Sequence, residues 1–318
     1  MMRCMNAAIA GLKAHQMAMD VIGNNIANVD TPGFKSGSIS FRDVMYQETQ
    51  AASAGQTGVG IAGSNPVQIG YGSTASSIYD NMTKGGISDT GDAKDIYING
   101  DGYLVVANGG ITDGADGTGI LPATAYGQQN LGAVKYSRVG HLGFDSDGFL
   151  TDGYGHYILG RQYGLPAKDG TQTPVPADLA SGTDTYDPAT APLVPIKYNP
   201  KAGKLESVKF GSEGTITADY NGKNIKIGQI ALANFANASG LEKAGDSYYQ
   251  ASENSGEAAY SNPGSNATGE LQSGALEASN TDLATEFSNM IMYERAYQAN
   301  TKIISVADEM YQTLVNMK

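Results

Sequence analysis

The stretch NNIANVDTPGFK, Asn24 to Lys35, decides how the chain is read. It follows a run in which Met5, Ala8, Leu12, Met19, Ile22, Ile26 and Val29 recur at helical spacing, broken at a d position by His15. Apolar a and d residues over about four heptads predict an amphipathic helix whose stripe needs a partner. Asn24, Asn25 and Asn28 stand at its C-terminal end, where asparagine tolerates left-handed backbone. Thr31, Pro32 and Gly33 end it, because proline disfavours helix in the residue before it. Phe34 and Lys35 then lead the chain away.

The opposite end carries a similar phrase, LEASNTDLATEF over 276–287, ahead of a second run. Leu276, Leu283, Met290, Tyr297, Ile304 and Tyr311 stand seven apart, and Phe287, Leu314 and Val315 widen the stripe. This predicts a long helix over 280–318. Ser279, with Asp282 three residues later, predicts a capping-box-like start with Asp in place of Glu. Asp282 and Glu286 suit the positive end of the helix dipole. An apolar stripe of about forty residues is not buried by one helix alone. The two terminal helices are therefore expected to pair, either closing a globular domain or forming the inner layer of a polymer. The heptads leave both open.

Between the helices the pattern turns to β. DIYINGDGYLVVANG (95–109) predicts short strands around Gly100-Asp101-Gly102, and HLGFDSDGFLTDGYGHYILG (141–160) around Asp147-Gly148. The segment 207–235 does so around Glu213-Gly214 and Asn221-Gly222. Such dipeptides between β-branched or apolar runs signal hairpins, because tight turns need positive φ. Residues 48–78, 164–200 and 252–270 are small, polar or proline-rich and read as loops or connectors.

The fold class expected is mainly β with paired long terminal α-helices, a discontinuous β domain carried on a helical coiled-coil domain. The expected division is 1–30 with 277–318 as the helical domain and 31–78 with 252–276 as extended connectors. The β-rich domain is 79–165 with 200–251, and 166–199 is a small surface insert.

Composition narrows the function. The chain has 318 residues and a formal net charge of −12, which disfavours nucleic acid as a partner because phosphate binding needs clustered Lys and Arg. No apolar run approaches ~18 residues, so no membrane insertion is expected. Arg3, Asn6, Lys13, His15, Gln16 and Asp20 interrupt the first apolar run, so a cleavable signal peptide is not expected either. Cys4 is the single cysteine, which rules out an intrachain disulfide and thiolate-built metal sites. With 42 glycines and 19 tyrosines the composition suits a turn-rich β protein.

The chemistry is sparse. His141 and His156 flank a hairpin carrying Asp145 and Asp147, but no zinc spacing accompanies them. DSDGFLTD (145–152) starts like a calcium loop, yet Gly148 falls at position 4 and His156 at position 12. P-loop, dinucleotide and GxSxG patterns are absent. Glu277, Asp282, Glu286 and Glu294 read as capping and solvating groups. No catalytic residue, cofactor or metal is expected, and the chain does not read as an enzyme.

The terminal phrases together resemble the signatures of the bacterial flagellar rod and hook proteins, the axial proteins of the basal body. The family phrase Asn-Asn-x-Ala-Asn-x-x-Thr-x-Gly-[Phe/Tyr]-Lys is matched by Asn24, Asn25, Ala27, Asn28, Thr31, Gly33, Phe34 and Lys35. Gly274, Leu276, Glu277, Ser279, Asn280, Asp282, Glu286, Arg295, Tyr297, Asn300, Asp308 and Leu314 match the C-terminal signature. INGDGYLVV, YSRVGHLGFDSDGFLTDGYGHYILG and IGQIALANFANASGLEKAGDSYYQASENSG resemble the family's β core.

Within the family, NPVQIGYG (65–72) and the closing DEMYQTLVNMK resemble the hook members, and the distal rod protein is the alternative. A monomeric secreted β-rich adhesin is a distant one. The resemblance implies a helical homopolymer around an export channel, a curved joint that transmits motor torque from rod to filament. It implies a place in the basal body and hook, outside the cell. Its implied partners are further copies of itself, the rod and hook–filament junction proteins, the hook cap and the export apparatus. The implied subunit interface comprises Met5, Leu12, Met19, Ile22, Ile26, Leu283, Phe287, Met290, Tyr297, Ile304, Tyr311 and Leu314. Asn24, Asn25, Asn28, Thr31, Pro32, Gly33 and Phe34 form the signature turn.

Overall fold

The structure is a computed structural model that describes residues 2–53, 63–107, 134–162, 175–176, 193–197, 207–220, 223–265 and 268–317. Most of the insert expected over 166–199, and the Asn221-Gly222 turn, lie outside the described residues. The chain forms two units, one of 1–29, 36–81 and 281–318, the other of 30–35 and 82–280.

The first unit is built on two helices. α1 spans Met2–Ala27 and α2 spans Leu283–Asn316. Asn25 meets Glu286 and Gly11 meets Asn300, so the helices run antiparallel. α1 buries Ala8, Gly11, Ala14, Ala18, Ile22 and Asn25, a line of mostly small residues at steps of three and four. α2 starts one cap later than expected. Asp282 itself is the N-cap, its Oδ1 accepting from Ala284 N at 3.0 Å and its Oδ2 from Thr285 Oγ1 at 2.7 Å. The Thr285 hydroxyl, then the Ala284 amide, hold the Asp282 carboxyl below its ordinary range.

The segment expected as an extended connector is in fact two ribbons of this unit. Gly37–Asp43 pairs antiparallel with Ser73–Asp80, and Tyr46–Gln50 with Val67–Gly70. The first ribbon packs on α1. It explains the break in the heptads at His15. The imidazole stands 5.9 Å from the Phe41 ring and 5.8 Å from the Tyr293 ring, so an aromatic cluster joins α1, α2 and the ribbon.

The second unit is β. Its main sheet runs in the order 207–210, 215–220, 223–230, 157–162, 103–107, 134–137, 248–250 and 242–245. Tyr103–Ala107 shows why its strands read as continuous apolar runs. Leu104 and Val106 enter one buried cluster with Ile98, Leu150, Ile158 and Ile230, while Tyr103, Val105 and Ala107 enter another with Tyr136, Leu159 and Ala233. Both faces are covered, so polar alternation is lost. Residues 252–276, also expected as a connector, supply strands: Ala259–Ser261 pairs with Leu232–Asn234, Glu270–Ser273 with Ile96–Asn99, and Ala275–Glu277 with Ile87–Asp89.

Two of the expected hairpins form. Leu142–Phe144 and Leu150–Asp152 pair around Asp147-Gly148, and Ser207–Phe210 pairs with Thr215–Tyr220 around Glu213-Gly214. The strands beside Gly100-Asp101-Gly102 do not pair with each other. Ile96–Asn99 goes to Glu270–Ser273 and Tyr103–Ala107 to Val134–Ser137. The turn instead receives the backbone of Gly269, whose N–H donates to Asp101 O at 2.8 Å.

Gly140 marks the tightest packing. A Cβ there would lie 1.7 Å from the Ile96 carbonyl oxygen, beside the Ile96 N–H···Gly140 O bond of 2.9 Å. Gly140→Ala is expected to lower the unfolding free energy of this unit by about 3 kcal/mol, the upper end of common overpacking costs, as read by chemical denaturation.

Candidate functional site

The residues expected to make the seam divide by exposure. Ile22 is buried, and Met5, Leu12, Met19 and Ile26 are half-buried, as are Met290, Tyr297, Ile304 and Tyr311. Leu283, Phe287 and Leu314 are open, at 38%, 50% and 54% exposure. The α1 side of the seam is thus made of smaller residues than the heptad reading chose, because Ala and Gly allow close approach between backbones. α2 carries a second apolar face, of which the heptad reading had named only Leu314. Ile303, Val306, Met310 and Leu314 fall on one side of the helix and are all exposed. Ala307 is its one fully buried residue among those described.

The signature turn splits between the units. In the helical unit, α1 ends at Ala27 rather than at Val29, and Asn28 closes it: its amide and its side-chain Nδ2 both donate to Asn24 O, at 3.2 and 2.9 Å. Asn25 is buried and fully used. Its Oδ1 accepts from Gly37 N at 2.9 Å, and its Nδ2 donates to Gly37 O at 2.8 Å and to Glu286 Oε1 at 2.9 Å. One amide therefore ties α1 to the first ribbon and to the first turn of α2. The reading of Glu286 as a dipole-complementing group alone missed this bond.

In the β unit, Thr31, Pro32 and Phe34 are half-buried and form the bend. Gly33 has φ of 70°. Its added Cβ would meet the Arg138 carbonyl carbon and the Val139 Cγ2 at 3.2 Å. Both its conformation and its space demand glycine. Its N–H donates to the Glu277 carbonyl at 2.8 Å, joining the two signature phrases directly.

Beside it lies a charge cluster that spacing could not show. Lys35, Arg138 and Glu277 are 0%, 3% and 1% exposed. Lys35 Nζ lies 2.6 Å from Glu277 Oε1 and donates to Thr83 O at 2.8 Å. Arg138 Nη1 lies 3.3 Å from Glu277 Oε2, and Nη2 donates to Gly100 O at 2.9 Å. Gly85 N donates to Glu277 Oε1 at 2.8 Å. The guanidinium also stands 5.1 Å over the Tyr103 ring.

Burial pushes the Lys35 ammonium below the usual lysine range against the pull of Glu277, and Arg138 adds to the fall. Burial opposes ionisation of Glu277 too, but Arg138, Lys35 and the Gly85 amide together hold its carboxyl below the ordinary range.

The remaining polar candidates are structural. His141 Nδ1 pairs with Asp95 Oδ1 at 2.6 Å, and His156 Nδ1 lies 2.9 Å from Tyr248 OH, which donates to Asp152. Among the described residues no group of three or more His, Cys, Asp or Glu is arranged to hold a metal. No described helix is long and apolar enough to cross a membrane.

Two outcomes are expected from this geometry. Because Glu277 is depressed in the folded state, its contribution is complete above about pH 4.3 and is lost as pH falls through its folded value. Glu277→Gln is expected to cost about 3–5 kcal/mol at neutral pH, since it leaves two buried cations short of a counter-charge, and to flatten the acid limb of stability against pH. Denaturation series from pH 7 downward measure both. Asn25→Ala is expected to cost about 1–3 kcal/mol in the helical unit, with loss of helical circular dichroism on mild heating, because buried partners lose their bonds.

Two family descriptions match this chain. "Flagella basal body rod protein" covers residues 5–35, and "Flagellar basal body rod FlgEFG protein C-terminal" covers residues 272–317. These intervals contain α1 from Met5 onward with the signature turn, and the Glu277 strand with α2. The chain is 35% identical over 320 residues to the flagellar basal-body rod protein FlgG of Bacillus subtilis, with 100% of each chain covered. It is 31% identical over 306 residues to the FlgG of Buchnera aphidicola subsp. Schizaphis graminum, covering 96% and 95%. It is 28% identical over 464 aligned positions to the flagellar hook protein FlgE of Treponema pallidum, with 100% of each covered. Matched at both ends and along its whole length, the chain belongs to the flagellar basal-body rod and hook protein family.

Proposed function

We propose that the chain is the structural subunit of the flagellar hook, polymerising into a curved tube that passes motor torque from rod to filament. The observation that carries the polymer is the second apolar face of α2. Ile303, Val306, Met310 and Leu314 are 40–54% exposed. An apolar face of this kind is favourable to bury and marks an interaction surface. Covering it with a different surface of another copy gives a heterologous contact, which repeats into an open helical assembly. Further copies are thus the first partners. The rod and the hook–filament junction proteins are the partners at the ends, with the hook cap and export apparatus acting during growth. In this reading the chain works outside the cell and has no catalytic role.

A second reading, the distal rod, is favoured by the relatives named as rod proteins. They align at 31–35% identity over 306–320 residues, near this chain's own length, whereas the Treponema pallidum hook protein aligns over 464 positions. An epitope-tagged copy visualised on intact and on envelope-stripped cells separates the two. Labelling of intact cells at the filament base supports the hook; labelling only after the envelope is removed assigns the rod.

The polymer itself is tested by electron microscopy of the purified chain. The natural chain is expected to form tubes, and the double variant Ile303→Asp, Met310→Glu to remain monomeric with the β unit's melting temperature unchanged. Tubes of normal length from the double variant would show that this face is not the contact.

A further inference from the structure

The chain passes between its two units four times, at 29/30, 35/36, 81/82 and 280/281. The parts of the β unit that adjoin these crossings are 30–35, 82–86 and 277–280, and all three meet at Glu277. From the first passage, Lys35 Nζ reaches Glu277 Oε1 at 2.6 Å and Gly33 N donates to the Glu277 carbonyl at 2.8 Å. From the second, Gly85 N donates to Glu277 Oε1 and Gly86 O accepts from Ala278 N, both at 2.8 Å. The first and second are joined by Lys35 Nζ to Thr83 O at 2.8 Å, and the second and third by Asn280 Nδ2 to Thr83 O at 3.2 Å. Arg138 ties the carboxylate to the core through Gly100 O.

We propose that Glu277, Lys35 and Arg138 form a clasp that locks these three passages to one another and to the β core. Load entering the unit through any crossing is then shared by all of them. The load-bearing half of this inference rests on the axial-subunit reading; the locking half does not. An apolar cluster would supply burial without direction, because the hydrophobic effect is non-directional. Charge-assisted hydrogen bonds fix distance and angle, so the passages cannot slide past one another without breaking them.

Hydrogen exchange of the full-length purified chain, followed by mass spectrometry, tests the lock. Glu277→Gln is expected to speed exchange in 30–35, 82–86 and 277–280 together, by about tenfold or more beyond the rise that its loss of global stability produces in 103–107 and 157–161. The triple variant Lys35→Met, Arg138→Met, Glu277→Leu carries no charge at the clasp, and replacing such a triad with apolar groups is often neutral for stability. It is expected to keep the core protected and still loosen all three passages, which keeps the test decisive if Glu277→Gln unfolds the unit. Passages as protected in the triple variant as in the natural chain, or loosening confined to one of them, would overturn the clasp. In cells, the triple variant is expected to form polymers visible by electron microscopy but to lose swimming speed more steeply than the natural strain as medium viscosity rises. Equal loss overturns the load-bearing half. Failure of the natural chain to form polymers would instead sink the axial-subunit reading and leave the exchange result standing.

Discussion

A carboxylate shared between two cations in a dry interior organises the β unit. Glu277 gives up nearly all its water, and burying an ion in this way costs several kcal/mol after relaxation. That cost is offset only because Lys35, Arg138 and the Gly85 amide converge on its oxygens at 2.6–3.3 Å. Those groups come from residues 35, 85, 138 and 277, so the unit is complete only when both ends of its chain are in place. The Arg138 Nε is buried without a hydrogen-bond partner among the described residues. Geometry around the carboxylate is satisfied first, and the guanidinium's remaining face lies over Tyr103.

The helical unit solves a different problem. α1 buries Ala8, Gly11, Ala14 and Ala18, and small residues bring backbones close while contributing little apolar area each. Specificity there comes from polar and aromatic anchors instead. Asn25 binds the ribbon and α2 together, and the His15, Phe41 and Tyr293 rings pack tilted against one another. α2 carries large side chains on a face that is exposed among the described residues.

Some of this was legible before the structure. Asp147-Gly148 and Glu213-Gly214 were read correctly as hairpin turns because the information is local: positive φ at glycine, with apolar runs on either side. Gly100-Asp101-Gly102 has the same local look, but its flanking strands pair with residues 270–273 and 134–137, and no local pattern reports a distant partner. The connectors failed for the same reason. Polar strands at 46–50 and 270–273 lack apolar alternation, and they are strands because their backbone groups pair with another strand.

The sequence by itself determined the two terminal helices, their mutual need for cover, the turn between Asn24 and Phe34, and the family. The helices and the turn follow from period, caps and turn chemistry, which act over a few residues, and the family from the resemblance of the signature phrases at both ends. Tertiary structure alone decided which side of each helix is covered, that Asn25 rather than Asn24 is the buried anchor, and that Lys35, Arg138 and Glu277 form one cluster. Those residues are separated by 103 to 242 positions in the chain. Only a fold that brings both ends of the β unit to the same place can make a buried charge affordable there, and no spacing rule written along the sequence contains that constraint.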